Sequence, residues 1–285
     1  MAKTRTILIT GCSAEGIGAA LAIALAKQGH HIFATARNTS KIPSELSSLP
    51  NVSVLPLDVS SKESVAEAAR AVEEAGKGLD VLVNNAGLGY TMPILDLDIE
   101  KAQNLYNANV WGLVRTVQAF AGQLIKSKGR VVNVSSVGSV VNTPWIGTYA
   151  SSKAAVNSIS ETLRLELSPF GVSVVTVMLG TVATSFHANE PTPELPATSY
   201  YTAILDTITK WAKGEAGPKG GSAQDLVDSI IPDIVADGRS GVVWRGANSG
   251  AVKFVSRWVP GRMLDGMMST GQGLDELAKS LTAKN

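Results

Sequence analysis

The stretch TGCSAEGIG, residues 10–18, follows the apolar run RTILI (5–9) and precedes a segment rich in alanine and leucine. A strand, a glycine turn and a helix in that order admit two chemical readings. Glycines at 11, 16 and 18 let backbone N–H groups approach a pyrophosphate, and the helix that follows aims its positive end at the same point. A serine on a strained elbow between two glycines would instead be a nucleophile. The elbow pattern Gly-x-Ser-x-Gly is incomplete, because Ser13 has Gly11 two residues before it but Glu15 two residues after. A hydrolase triad also wants a late histidine, and His187 is the only one beyond residue 31. The phosphate loop leads: Gly11 makes the turn, and Gly16 and Gly18 permit close approach. Glu15 is the misfit, since a carboxylate repels phosphate.

Outward from the loop, six apolar runs (6–10, 31–36, 52–57, 79–84, 130–135 and 172–179) alternate with helix-length segments at 16–28, 61–74, 99–126 and 147–169. The runs are apolar throughout rather than alternating, as strands covered on both faces require. Repeated βαβ units predict an α/β fold with a doubly wound parallel sheet. The segment 60–76 carries its own boundaries, a serine cap, Glu63 in the first turn and Gly76 at the end. Beyond residue 179 the texture changes. Residues 180–196 are rich in Thr, Pro and Glu, and an aromatic helix pattern, SYYTAILDTITKWAKG (199–214), follows. A GPKGG turn, a helix at 222–236 and a strand-like SGVVWRG come next. The tail reads as two short helical pieces broken by Pro260 and by the glycines at 271 and 273. One domain with a lid-like insertion and a C-terminal extension accounts for this order.

Composition narrows the function classes. Among 285 residues, 25 basic against 24 acidic side chains leave a net charge of +1, which argues against nucleic acid as a partner. The single cysteine, Cys12, precludes an internal disulfide and suits a reducing compartment. His30, His31 and His187 lack metal-ligand spacing, so no metal is expected. The opening MAKTRTILIT is too short for a signal-peptide core, and no window reaches the roughly 20 apolar residues of a spanning helix. A soluble, cytoplasmic protein is the expectation.

A second cluster lies in VVNVSSVGSVVNTPWIGTYASSKAAV (131–156). Tyr149 and Lys153 stand four apart at the start of a helical pattern, one turn apart on one face. A nearby ammonium stabilises a phenolate, so the spacing predicts a lowered tyrosine pKa and a general acid or base at a carbonyl or alcohol oxygen. Ser136 ends the preceding strand, where its hydroxyl can reach the same oxygen.

These residues, taken in order, resemble the short-chain dehydrogenase/reductase family. The likeness runs from residue 6 to about 184: the Thr-Gly loop (10–18), LDV (57–59), NNAG (84–87), NANVWG (107–112), NVSS (133–136), YASSK (149–153) and LGTVAT (179–184). It implies a single Rossmann domain over 1–245, with a substrate lid at about 185–221 and an extension, 246–285, packed on the same domain. It implies that Tyr149 is the acid/base, that Lys153 lowers its pKa and holds the nicotinamide ribose, that Ser136 positions the carbonyl, and that Asn109 kinks its helix and holds a water of the proton relay. Gly11, Ser13, Gly16, Ile17 and Gly18 would form the phosphate side. Asp58 would meet the adenine amino group, Asn85 and Gly87 the adenosine-side ribose, and Val182 and Thr184 the carboxamide and phosphate end. The cofactor is expected to be NADP(H): the second strand ends in Ala36-Arg37 instead of the acid that takes the ribose hydroxyls in NAD enzymes. Glu15 counts the other way. Four residues separate Gly11 from Gly16 where the family usually has three, and this longer loop, with the tail, resembles the acyldihydroxyacetone-phosphate-reductase-like branch. Leu179 replaces the usual proline before Gly180.

The expected activity is hydride transfer between NADP(H) and a ketone or secondary alcohol of an apolar, lipid-like or secondary-metabolite substrate, walled by Trp145, residues 186–201 and Trp211. The competing readings are a non-redox NADP(H)-binding lyase, cyclase or sensor, and a serine hydrolase using Ser13. The tail mixes Phe254, Trp258, Val259, Met263, Leu264, Met267 and Met268 with Lys253, Arg257 and Arg262. Packing against the body or lid is the favoured reading, with weak contact to a lipid or membrane surface as the rival. A homodimer or homotetramer through the helices at 99–126 and 147–169 is what the family likeness implies.

Overall fold

The structure, a computed structural model, describes residues 3–282. Its first half runs β1 (Thr6–Ile9), α1 (Ile17–Lys27), β2 (His31–Ala36), α2 (Ser44–Ser47), β3 (Val52–Pro56), α3 (Lys62–Glu74) and β4 (Val81–Asn84). Then come α4 (Ile99–Tyr106), α5 (Gly112–Ser127), β5 (Arg130–Val134), α6 (Gly147–Glu166), β6 (Ser173–Leu179), α7 (Leu205–Ala212), α8 (Ala223–Val235) and β7 (Gly241–Arg245). Three helices close the chain: α9 (Ser249–Trp258), α10 (Gly261–Ser269) and α11 (Leu274–Thr282).

The strands form one sheet in the order β3-β2-β1-β4-β5-β6-β7, every neighbouring pair parallel. Successive residues of each strand serve opposite cores. Ile7, Ile9, Val81 and Val83 face Leu21 and Leu25 of α1 and Val227 and Ile230 of α8. Leu8, Leu82 and Val131 face Val65 of α3, Phe120 of α5 and Val156 of α6. Both faces of the inner strands β1, β4 and β5 are buried throughout, which is why their sequences do not alternate, whereas the edge strands β3 and β7 are partly exposed. The winding reverses between β1 and β4, and in such sheets the crevice beyond the carboxyl ends at that reversal receives ligands.

Two expected elements differ. Residues 99–126 are not one helix, because α4 and α5 flank a π-helical turn, Asn107–Trp111. The tail makes three helices rather than two: Pro260 ends α9 and caps α10, and Gly271 and Gly273, at φ +73° and +81°, part α10 from α11. The tail's inner side makes several contacts with the body. Leu264 is buried, Leu274 and Leu277 join Trp145, Ile204 and Ile208, and the Trp145 indole N–H donates to the Gln272 carbonyl at 3.1 Å. Its outer side leaves Phe254, Trp258, Met263 and Met267 exposed. Among the described residues no helix is long and apolar enough to cross a membrane.

Candidate active site

The glycine loop leaves β1 at the sheet's reversal and is stitched to the loop after β4. Asn85 donates from Nδ2 to the Thr10 carbonyl at 2.8 Å and the Gly11 carbonyl at 3.2 Å. In return the Thr10 hydroxyl accepts the N–H groups of Asn85 and Ala86 at 3.0 and 2.9 Å. The Asn85 amide, expected at a ribose, is thus engaged in holding two loops together. A Cβ on Gly18 would lie 2.4 Å from the Gly11 carbonyl oxygen, so only glycine lets α1 start this close to the turn. The Cys12 thiol is buried, and burial pushes its pKa up to about 12, so it stays an unreactive thiol.

The loop's extra residue is absorbed by Glu15, which adopts a left-handed conformation at φ +60° with its side chain exposed. Next to it the Ala14 N–H donates to the Lys41 carbonyl at 2.8 Å, and the Gly16 N–H to the Ser13 carbonyl at 3.2 Å. Helix α1 then opens at Ile17 with no side-chain cap and no acid in its first turn. Its leading N–H groups and positive end suit an anion, and the glycine cradle fits the phosphates of a dinucleotide. Arg37 stands exposed beyond β2, with no hydrogen bond or ion pair among the described residues. Asp58, after β3, accepts the N–H and hydroxyl of Ser60 at 2.9 and 2.6 Å. No hydrogen bond joins Ser13 to a histidine among the described residues. His30 accepts the Arg5 N–H, and His187 pairs with Glu190.

The residues expected to handle the proton meet beyond β4 and β5. Ser136, just past β5, stands near enough to Tyr149 for its hydroxyl to favour the phenolate. One turn along α6, Lys153 Nζ lies 5.9 Å from the Tyr149 ring centroid and donates to the Val134 carbonyl at 2.9 Å. The π-turn carries Asn109 into the same space. Its Oδ1 accepts the Leu88 N–H at 2.7 Å, and its Nδ2 donates to the Leu88 carbonyl at 2.9 Å and the Ser152 hydroxyl at 3.1 Å. A Cβ on Gly87 would lie 3.3 Å from Asn109 Oδ1 and 3.5 Å from Lys153 Nζ, so that glycine keeps the floor open between them. Trp145, four residues before Tyr149, holds φ +72°, an unusual value for so large a side chain. The Met92 N–H, donating to its carbonyl at 2.7 Å, and the Gln272 carbonyl, accepting from its indole, hold it there and so set the entry of α6.

The electrostatics depart from the expectation. Burial pushes the Tyr149 pKa up to about 12; the Ser136 hydroxyl opposes this and the Glu190 carboxylate adds to it. Burial pushes Lys153 down to about 8. The expected lowering of the tyrosine is reversed because desolvation of the phenolate outweighs an ammonium directed at the Val134 carbonyl.

Above the site the chain turns back after β6. Val182 bridges to Gly221, and the Thr184 hydroxyl accepts the Phe186 N–H at 3.4 Å. Phe186 lies against Tyr149 with ring centroids 5.7 Å apart, and Leu195 touches the apolar residues around both Tyr149 and Trp145. Glu190, which the sequence did not single out, is buried beside this group on Thr91 and His187. A glutamate in a proline-rich stretch carries no local signal of burial.

Residues 5–194 match the short chain dehydrogenase family. The short-chain dehydrogenase cctT of Talaromyces islandicus is 39% identical over 278 residues, 96% of this chain and 97% of that protein. An NADPH-dependent 1-acyldihydroxyacetone phosphate reductase of Schizosaccharomyces pombe is 35% identical over 242 residues, 84% of this chain and 81% of its own. Among solved structures, a short chain dehydrogenase from Burkholderia cenocepacia in complex with NADP superposes with a TM-score of 0.71 at 25% identity, over 90% of this chain and 94% of that one. With a family match over more than half its length and relatives of this similarity, the chain belongs to the short-chain dehydrogenase family of oxidoreductases.

Proposed function

We propose that the protein is an NADP(H)-dependent ketoreductase acting on an uncharged, apolar carbonyl compound of lipid-like or secondary-metabolite type. The observation that carries this reading is the convergence of Ser136, Tyr149 and Lys153 beyond the carboxyl ends of the sheet, the same edge at which the uncapped α1 begins. Gly11, Ser13, Gly16, Ile17 and Gly18 would hold the phosphates, Arg37 the 2′-phosphate, and Asp58, Asn85 and Gly87 the adenosine side. Lys153, Val182 and Thr184 would hold the nicotinamide end. Bound NADPH supplies a hydride to the carbonyl carbon. Ser136 orients the carbonyl oxygen, and Tyr149 donates its hydroxyl proton to it. With its pKa near 12, Tyr149 carries that proton at neutral pH, which suits carbonyl reduction. Asn109 keeps the loop at Leu88 in place beside Lys153, and the lid at about 185–221 excludes water from the reacting atoms.

NADPH consumption over a panel of ketones tests the proposal. Tyr149→Phe is expected to lose about 10²–10⁴-fold in turnover while still binding NADPH. A nucleotide-binding scaffold or a serine hydrolase would tolerate that change. Arg37→Ala is expected to weaken NADPH about tenfold or more and leave NADH nearly unaffected, since a charge-assisted contact to phosphate is lost. Equal efficiency with the two nucleotides in the unaltered protein refutes the NADP(H) assignment.

Two surfaces bear on partners. Ile99 and Trp111 near α4, and Leu165 and Phe170 at the end of α6, are exposed and apolar, which supports a homo-oligomer through these helices; light scattering of the protein and of Trp111→Glu tests it. Phe254, Trp258, Met263 and Met267 lie exposed in a tail that carries Lys253, Arg257 and Arg262, which supports contact with an anionic bilayer; vesicle flotation with and without residues 250–285 tests that.

A further inference from the structure

The short 3₁₀ turn Ser185–Asn189 delivers two side chains to the cleft from above. Phe186 covers the Tyr149 ring, and Glu190, next after the turn, reaches down to the loop that follows β4. Its Oε2 accepts the Thr91 hydroxyl at 2.8 Å, and its Oε1 lies 2.8 Å from His187 Nδ1. The side chain is only 3% exposed. Gly89 makes this position available, because a Cβ there would stand 2.4 Å from Glu190 Oε1. Leu88, Tyr90, Met92 and Leu195, its neighbours in sequence or on the facing loop, form one apolar cluster with Tyr149.

A carboxylate with its side chain so buried is costly, and the mechanism proposed above makes no use of it. Ionised, it offers about four acceptor directions, and Thr91 and His187 take two of them. It is close enough to raise the Tyr149 pKa, so its charge is felt at the reacting oxygen.

We propose that Glu190 is a specificity-determining acceptor of the substrate cleft, favouring carbonyl compounds that bring a hydroxyl or phenol donor and disfavouring those that bring a phosphate or carboxylate. This rests on the reading of Tyr149 as the proton donor to a carbonyl. It separates this chain from a reductase of phosphorylated lipid ketones, because an anionic substrate would be placed against a buried carboxylate.

The probes are the hydroxyacetophenone isomers, acetophenone, and the carboxylated acetylbenzoates. Dissociation constants come from quenching of tryptophan fluorescence, with and without NADP⁺, and kcat/KM from NADPH consumption. The binding measurement requires no turnover, so it separates failure of this assignment from failure of the ketoreductase reading. The unaltered protein is expected to bind at least one hydroxylated isomer about tenfold or more tighter than acetophenone, and acetylbenzoate weakest, as a hydrogen bond to a charged acceptor implies. Glu190→Gln should reduce the hydroxyl preference severalfold and raise acetylbenzoate affinity about tenfold. Thr91→Val removes a lid contact without removing the charge, and should leave the preference intact. Equal affinity for all probes overturns the assignment, as does the absence of saturable binding by every hydroxylated isomer. So does a uniform loss shared by Glu190→Gln and Thr91→Val, which would make Glu190 a latch for the lid.

Discussion

Asn109→Ala is the sharpest test of how the site is built. The family likeness assigns this residue a water in a proton relay, whereas the structure shows its amide closing on both backbone groups of Leu88 and on the Ser152 hydroxyl, at 2.7, 2.9 and 3.1 Å. Truncation leaves the Leu88 N–H and carbonyl without partners. An orphaned buried polar group costs about 1–3 kcal/mol, and Leu88 is only partly buried, so water offsets some of that; we expect a loss of about 2–4 kcal/mol. Ser152→Ala removes one of the three contacts and should cost about 1 kcal/mol. Urea unfolding followed by circular dichroism would show a lower midpoint with an unchanged slope, and the Leu88 amide should exchange faster with deuterium. Turnover should fall as well, because Gly87 and Leu88 adjoin Lys153. An Asn109→Ala protein within about 0.5 kcal/mol of the parent, yet inactive, would refute the structural account and leave the water role standing.

Gly18→Ala brings a methyl within 2.4 Å of a backbone carbonyl that cannot move without breaking the Asn85 stitching, so stability should drop by about 1–3 kcal/mol and NADPH binding should weaken sharply, read by thermal denaturation and fluorescence titration. Glu15→Gly replaces a left-handed non-glycine residue; relief of about 1 kcal/mol of strain is nearly cancelled by glycine's added chain entropy, so the melting temperature should hold while NADPH affinity rises with loss of the carboxylate. A clear drop in melting temperature would contradict the left-handed assignment. For pH, the folded-state pKa of Lys153, about 8, lies below its ordinary 10.5. Between those values the unfolded chain holds a proton that the folded one does not, so this residue's contribution to stability rises with pH across that window, by up to about 3 kcal/mol. Tyr149 works oppositely, its contribution falling as pH rises above 10. Denaturation of the parent and of Lys153→Met from pH 7 to 10 should diverge in slope, and parallel curves would contradict the burial of Lys153.

What the sequence revealed was what local spacing encodes. Strands buried on both faces announce themselves by unbroken apolar runs, and the glycine turn and the Tyr149–Lys153 step are each confined to one element. The π-turn at Asn107–Trp111 left no mark in the periodicity, because one extra residue per turn barely disturbs it; only the family likeness pointed to a kink at Asn109. Glu190 escaped because its burial is made by Gly89 and Thr91, about a hundred positions earlier. The indole contact between Trp145 and Gln272 spans 127 positions and was equally out of reach of pattern reasoning. The direction of the Tyr149 shift failed for a related reason: charge spacing along α6 was visible, but burial among residues distant in the chain, Phe186 among them, was not.

That desolvation links selectivity to direction of reaction. Removing water from a tyrosine and a lysine moves their pKa values in opposite directions, here from an ordinary 10.0 up to about 12 and from an ordinary 10.5 down to about 8. Each shift favours the uncharged form, so on the proposed reading Tyr149 is a proton donor awaiting a basic oxygen. Glu190 strengthens this bias through its charge and, on the proposed reading, chooses which substrates receive the proton. The two roles cannot be tuned separately. A change that neutralises Glu190 to admit anionic substrates also removes a force that keeps Tyr149 protonated, so any broadening of substrate range should come with an alkaline limb of the activity profile that moves to lower pH. The profile of Glu190→Gln with a single neutral ketone isolates that coupling, and an alkaline limb unmoved from the parent's would show that the carboxylate acts on the substrate alone.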